Sequence, residues 1–326
     1  MDISLYQDVN TEALASVLIP SYNSPDLTKT IQSVLEQDYA RIEIILIDDC
    51  SVTFSSKDIE DYINKNKASN IVNCIISRND SNLGTVKTMN RAFKYAKGEY
   101  IFSLAGDDCF YDGQVISDWV NEFEKSKAQL ITAKRANYDF KMLQANGTSP
   151  TKLQIHQLKK LDSYALFEKI AVENFVLGCC TARKREVLEE FGYLDESYRM
   201  IDDHPFVLKY LREGKSIHFF DRCVIKYRGG GVSSLENCNL KYIEESDMIF
   251  SKEVMPFANN PKKILKKYEA WKRHRRLLNN YLIKKSKYKH NKLMLFILNI
   301  LVRAKMPLYT LKRITEKFII ERILIK

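Results

Sequence analysis

The chain has 326 residues, 45% hydrophobic and 28% charged, enough to bury a sizeable core in one large or two modest domains. That composition excludes a disordered chain. The net charge of +10 is uneven: residues 262–326 carry 20 Lys/Arg against 3 Asp/Glu, and residues 1–261 carry 31 against 38. A mildly acidic body therefore precedes a strongly basic tail.

In chain order, the first residues (MDISLYQDVNTEALAS) have no basic-then-apolar run, so no signal peptide is expected. The apolar, β-branched run at 15–23 predicts a buried strand. A helix is expected next, with Ser24 as N-cap, Pro25 in its first position, and Ile31, Val34 and Leu35 on one face. Residues 42–51 (IEIILIDDCS) predict a second buried strand ending in two aspartates. A helix over SKDIEDYINKN and a short strand VNCIIS follow. Val86, Met89, Ala92 and Phe93 recur at helical spacing, and Gly98 is expected to end that helix. The stretch YIFSLAGDDCF, residues 100–110, then drives a strand into Asp107 and Asp108.

This alternation of strands and helices implies βαβ units and a parallel sheet, in which ligands sit at the carboxyl ends of the strands. Ser21, Asp48, Asp49, Asp107 and Asp108 fall there. Beyond Trp119 the pattern is less regular. Strands are expected over AQLITAKRANYDF and SIHFFDRCVIKYR, a surface loop and helix over QIHQLKKLDSYALFEKI, and a strand, helix and glycine stop over NFVLGCCTARKREVLEEFG. DDHPFVLKYLREG reads as a short helix with acids at its start.

An aspartate pair at a strand end suits Mg²⁺ or Mn²⁺, hard cations that accept oxygen ligands and complete their shell from phosphates. The same pair would also serve as a turn or a helix cap. Asp202 and Asp203 would complement a helix dipole or supply a general base, and His204 reads as a surface histidine. Arg228, beside three glycines in YRGGGVSS, would fold over phosphates or mark a hairpin tip. No Walker loop or GxGxxG follows the first strand. The seven cysteines, odd in number and without a CxxC pair, read as reduced thiols, with Cys179 and Cys180 as buried filler.

SVLIPSYN, QDYARIEIILIDDCS, NLGTVKTMNRAFKYAKGEYIFSLAGDD, TARKREVLEEFGYLDESY and IDDHPF, in this order over about residues 15–235, resemble the inverting glycosyltransferases of family 2. The resemblance implies a GT-A, Rossmann-like α/β fold with a mixed, mostly parallel sheet. It also implies a nucleotide-sugar donor, expected to be a UDP-sugar, with Mn²⁺ or Mg²⁺. Carried over to this chain, it sets Pro20, Ser21, Asn23, Asp49 and Asp107 around the nucleotide, Asp108 at the metal, and Asp203 as the base that deprotonates the acceptor hydroxyl. Three positions depart from the family pattern: Gly106 where a further acid is frequent, Cys50 where glycine is common, and Asp202 where glutamate is usual.

The basic tail lies outside that pattern. Domains are expected at 1–255 and 256–326, hinged at MPFANNP. Ile264, Tyr268, Trp271, Leu278 and Leu282 fall roughly along one helical face, which suits either an anionic membrane surface or packing on the body. The longest apolar run, LMLFILNILV, is short of the about 20 residues that span a bilayer. The expectation is a cytoplasmic protein, peripheral on the inner membrane surface. It would act on a saccharide or polyprenyl-diphosphate-oligosaccharide acceptor in O-antigen or capsule synthesis, without nucleic acid. The alternatives are a sugar nucleotidyltransferase or a non-catalytic protein binding through the tail.

Overall fold

The computed structural model describes residues 12–231 and 240–287. Its first half runs β1 (Ala15–Ser21), α1 (Leu27–Leu35), β2 (Ile42–Asp48), α2 (Ser56–Asn66), β3 (Ile71–Arg78), α3 (Thr85–Tyr95) and β4 (Tyr100–Ser103). These strands are buried on both faces, the condition for the near-continuous apolar runs seen in the sequence. Alternate residues split between two cores. Leu18, Ile45, Ile47 and Ile101 pack with α3, while Val17, Ile19, Ile44, Leu46 and Phe102 face the other side. On that second side Trp119 stacks on Phe102 at 5.1 Å.

The second half adds β5 (Cys109–Phe110), α4 (Val115–Ser126), β6 (Leu130–Tyr138), β7 (Ala145–Ser149), α5 (Lys152–Lys160), α6 (Ser163–Ile170), β8 (Thr181–Lys184), α7 (Arg185–Phe191), α8 (Asp203–Arg212) and β9 (His218–Arg228). The sheet order is β3-β2-β1-β4-β8-β6-β9-β5, with β7 beside β6. Strands β1 to β4 pair in parallel, whereas β8 runs antiparallel to both β4 and β6. Because β8 reverses direction twice, β6 points the same way as β4, and β9 is parallel to β6. The carboxyl ends of β1, β2, β4, β6 and β9 therefore share one rim. The fold is a mixed α/β sheet flanked by helices, as expected, with the parallel pairing concentrated in its first half.

Two details differ from the sequence expectation. Helix α1 begins only at Leu27, its N-cap is Asp26, and no side chain caps it. Ser24 instead meets Ser21 (Oγ–Oγ 3.2 Å), and the Asp26 carboxylate is drawn to Arg228 at 2.7 Å. Gly98 does not end α3, which stops at Tyr95; a Cβ there would come within 2.5 Å of Ser16 Oγ, so close approach to β1 requires glycine.

After β9 come α9 (Leu240–Ile249) and α10 (Pro261–Lys287). Ile264 and Tyr268 of α10 are buried in the same core as α8, and Tyr268 stacks on Phe250 at 3.9 Å. The aromatic face considered for a membrane thus packs on the body through Ile264, Tyr268 and the partly buried Trp271. Leu278 and Leu282, and the run at 293–302, lie outside the residues whose side chains are described.

Candidate active site

The rim collects acids from separate strands. Asp48 ends β2 and Asp49 follows it. Asp48 is fully buried and accepts from the Ser51 N–H (2.8 Å) and hydroxyl, with Arg78 Nε at 3.4 Å. Asp49 is 4% exposed and organises the loop ahead of α3. Its Oδ1 accepts from Leu83 N (2.7 Å) and Asn79 Nδ2 (2.8 Å), and its Oδ2 from Gly84 N (2.8 Å). Gly84 supplies the turn with φ +89°. Cys50, in place of the usual glycine, sits in the left-handed region at φ 64°, which explains why glycine is favoured there.

Ser21 ends β1 at the same rim, and its carbonyl accepts Asp49 N at 2.7 Å. Asn23 binds the loop after β2, donating N–H to Ser51 Oγ (2.7 Å) and accepting Val52 N on Oδ1 (3.0 Å). The Pro20 carbonyl accepts Gly106 N at 2.9 Å, which stitches β1 to the turn bearing Asp107 and Asp108. A Cβ at Gly106 would meet Ser24 Oγ at 2.8 Å and the Ser21 Cβ at 3.0 Å. A side chain there would have to displace the Ser24 hydroxyl.

Asp107 is partly exposed, and burial raises its pKa. Asp108 is 1% exposed. Burial pushes its pKa well above the carboxylate range, and the nearby Cys179 and Asp107 push it further. One backbone donor opposes this, Arg228 N to Oδ1 at 2.8 Å; Oδ2 accepts no hydrogen bond among the described residues. A buried carboxylate so poorly compensated is a place where a cation would relieve the penalty. Among the described residues no three His, Cys, Asp or Glu side chains cluster to hold a metal.

Arg228, expected above a diphosphate, is 3% exposed and holds the protein together. Its guanidinium donates to the Asp107 carbonyl (2.9 Å), the Phe140 carbonyl (2.6 Å) and the Asp26 carboxylate (2.7 Å). Three acceptors in a buried site make this side chain a clamp on the Asp107–Asp108 turn.

The antiparallel half contributes the third acid. Asp203 opens α8, and its Oδ2 accepts Gly178 N at 2.9 Å, while Oδ1 accepts no bond among the described residues. A Cβ on Gly178 would come within 3.1 Å of the Asp203 Cβ, so the glycine admits the carboxylate. Asp202 points elsewhere, into a cavity of about 330 Å³ lined by Val86, Phe191, Tyr198, Phe206 and Lys209. His204 is not a surface histidine: it is partly buried, a ring nitrogen lies 2.9 Å from the Ile170 carbonyl oxygen, and burial lowers its pKa.

Two residues at the centre of the rim escaped the sequence reading. Cys179 lies between the acids, its thiol brought down to about 7 by the hydrogen bond with Cys180 and by Arg135, against its burial. The Arg135 guanidinium carbon lies over the Tyr227 ring, 3.5 Å from its centroid. Arg135 and Asn137 are polar residues at alternate positions in the last half of β6, on one face of the strand, a signal that was readable.

A Rossmann-like parallel half-sheet whose rim gathers acids, joined to an antiparallel half that supplies a further carboxylate, defines the GT-A class of glycosyltransferase folds. The chain belongs to Glycosyl transferase family 2, whose sequence profile matches residues 16–192, just over half of it. It is similar to TuaG of Bacillus subtilis, a glycosyltransferase provisionally assigned to teichuronic acid biosynthesis: 26% identical over 221 residues, 67% of this chain and 80% of that one. It is also similar to the Escherichia coli UDP-Glc:alpha-D-GlcNAc-diphosphoundecaprenol beta-1,3-glucosyltransferase WfaP, 39% identical over 115 residues, covering 35% of this chain and 43% of that one. The fold matches the mannosyltransferase PcManGT of Pyrobaculum calidifontis, solved with GDP-Man and Mn²⁺, at a TM-score of 0.59 and 14% identity, over 95% of this chain and 86% of that one.

Proposed function

We propose that this chain is an inverting, metal-dependent glycosyltransferase that moves a sugar from a UDP-sugar to a hydroxyl of a polyprenyl-diphosphate-linked saccharide. Its place would be bacterial surface-polysaccharide synthesis, of the O-antigen or capsule type. The observation that carries the reading is that Asp108 and Asp203 both neighbour the Gly178–Cys180 turn: Asp203 Oδ2 accepts Gly178 N, and the Cys179 thiol acts on the charge of Asp108. The UDP-glucose donor and lipid-diphosphate acceptor in the WfaP name support the substrate classes, and Mn²⁺ in the PcManGT complex supports the metal.

In this reading Pro20, Ser21, Asn23, Asp49 and Asp107 frame the nucleoside, and Asp108 is the protein ligand of the metal. When bound, Mn²⁺ or Mg²⁺ supplies positive charge against the departing diphosphate. Asp203 uses its free Oδ1 to take the acceptor hydroxyl proton while Gly178 N–H holds Oδ2 in place. The acceptor oxygen attacks the anomeric carbon from the face opposite the diphosphate, the bond to the diphosphate oxygen breaks with its electron pair, and the configuration inverts. Holding both partners in line supplies much of the rate.

The test is a thermal-shift and transfer assay over a panel of nucleotide sugars with and without Mn²⁺. One donor family should raise the melting temperature in a metal-dependent way, and Asp108→Asn should abolish that dependence. Asp203→Asn should keep donor binding and lose transfer by about 10²–10⁴-fold. Full turnover by Asp203→Asn would reject its role as base.

A further inference from the structure

With Arg228 committed to protein acceptors, the cation that faces the reacting centre is Arg135, near the carboxyl end of β6. Its Nε donates to Asn137 Oδ1 at 3.0 Å, and Asn137 is itself held by Ser149 at 3.0 Å. Its Nη1 lies 3.7 Å from Cys179 Sγ, and its guanidinium carbon sits over the Tyr227 ring. Nη2 has no protein acceptor among the described residues; the charge of Arg135 acts on Asp108, with no ion pair between them among the described contacts. A partly buried arginine seated over a ring, with Nε held and a donor open, is pre-organised for an oxyanion.

Its neighbours say where that oxyanion would be. Tyr227 precedes Arg228, whose N–H binds Asp108; Cys179 follows Gly178, whose N–H binds Asp203. The guanidinium therefore stands between the acid assigned to the metal and the acid assigned as base. A diphosphate leaving from that point carries growing negative charge.

We propose that Arg135 binds a β-phosphate oxygen of the nucleotide diphosphate and stabilises the charge that develops on it as the glycosidic bond breaks. This assignment rests on the donor reading above. Bond breaking leaves the electron pair on the diphosphate oxygen, and Arg135 receives that charge through Nη2 without giving up a proton, since guanidinium stays protonated.

The experiment measures UDP and UMP affinity in the presence of Mn²⁺, with GDP and GMP in parallel, for the wild-type chain, Arg135→Met and Arg135→Lys. Arg135→Met should weaken diphosphate binding about tenfold or more, as for loss of a charge-assisted hydrogen bond, and leave monophosphate binding unchanged. Unchanged monophosphate binding also shows that the variant is folded. Arg135→Lys, which keeps the charge and loses the fork, should fall between the two and keeps the comparison available if the methionine variant does not fold. Equal diphosphate affinity in wild type and Arg135→Lys and Arg135→Met would overturn the assignment. A wild-type chain that binds neither UDP nor GDP would instead remove the donor reading itself, before any variant is compared.

Discussion

Asp202 and Asp203 are adjacent in sequence and chemically unlike, and the difference comes from what each carboxylate touches. Asp203 meets a backbone donor at the rim, whereas Asp202 faces the cavity beside Phe206. Burial, reinforced by the charge of Asp203, raises the Asp202 pKa from 3.8 to about 7. Behind the pair, Arg183 is held between the rings of Phe93 and Phe206, and burial lowers its pKa to about 10. A carboxyl whose pKa is raised on folding contributes its stability while protonated, so that contribution is whole below about pH 4 and is lost as pH rises to about 7. Asp202→Asn should therefore melt above the wild type at pH 8. Its advantage should shrink steadily as pH falls from 7 towards 4 and stay level above 7. Melting curves at half-unit pH steps check this, and a pH-independent difference would show that Asp202 does not titrate in this range. The companion Asp203→Asn separates the roles, because transfer rather than stability should respond.

At the level of elements, the parallel half was legible because its signals are local. Ile44, Ile45, Leu46 and Ile47 form an unbroken apolar run, and Val86, Met89 and Phe93 keep helical spacing, so burial on both sheet faces and on one helix face shows in the residues themselves. The other half depends on partners distant in sequence. β5 is two residues long, and Phe110 finds its register against Ile225; β7, with the exposed sequence ANGTS, has no apolar pattern at all. The acids at the rim were legible for the same reason as the strands they end, but Arg135 and Cys179 become site residues only through the β6–β8–β9 pairing. Helix α10 shows the reverse failure, a correct amphipathic pattern whose partner the sequence does not name. Tyr268, 4% exposed, stacks between Phe250 and Trp271 and donates its hydroxyl to Asp247 at 2.9 Å. Tyr268→Ala should cost about 3–5 kcal/mol, in the range of other buried aromatic truncations. Urea unfolding measures it; a loss under about 1 kcal/mol would mean that α10 is an appendage and not part of the core.

Over the whole molecule, the packing of α10 changes what the basic tail has to offer a membrane. Its aromatic face is already covered by the body, while Lys262, Lys263, Lys266, Arg273 and Arg276 remain exposed. Among the described residues no helix is long and apolar enough to cross a bilayer. Attachment to an anionic surface would then rest on cations here, each worth about 1 kcal/mol near the lipid headgroups. Apolar insertion would have to come from residues 288–326, which carry 9 Lys/Arg against 2 Asp/Glu and the run LMLFILNILV. Cutting the chain before α10 would remove Ile264 and Tyr268 from the core and confuse membrane affinity with misfolding, so the informative truncation ends at residue 287. Full-length chain should sediment with phosphatidylglycerol vesicles at low salt and be released as salt shortens the screening length to about 8 Å and below. The chain ending at 287 should bind several-fold more weakly, still in a salt-dependent way, and keep its nucleotide affinity. Full-length protein that ignores anionic vesicles at low salt would separate the enzyme from the membrane, and an acceptor presented on lipid would then have to reach the rim without help from the tail.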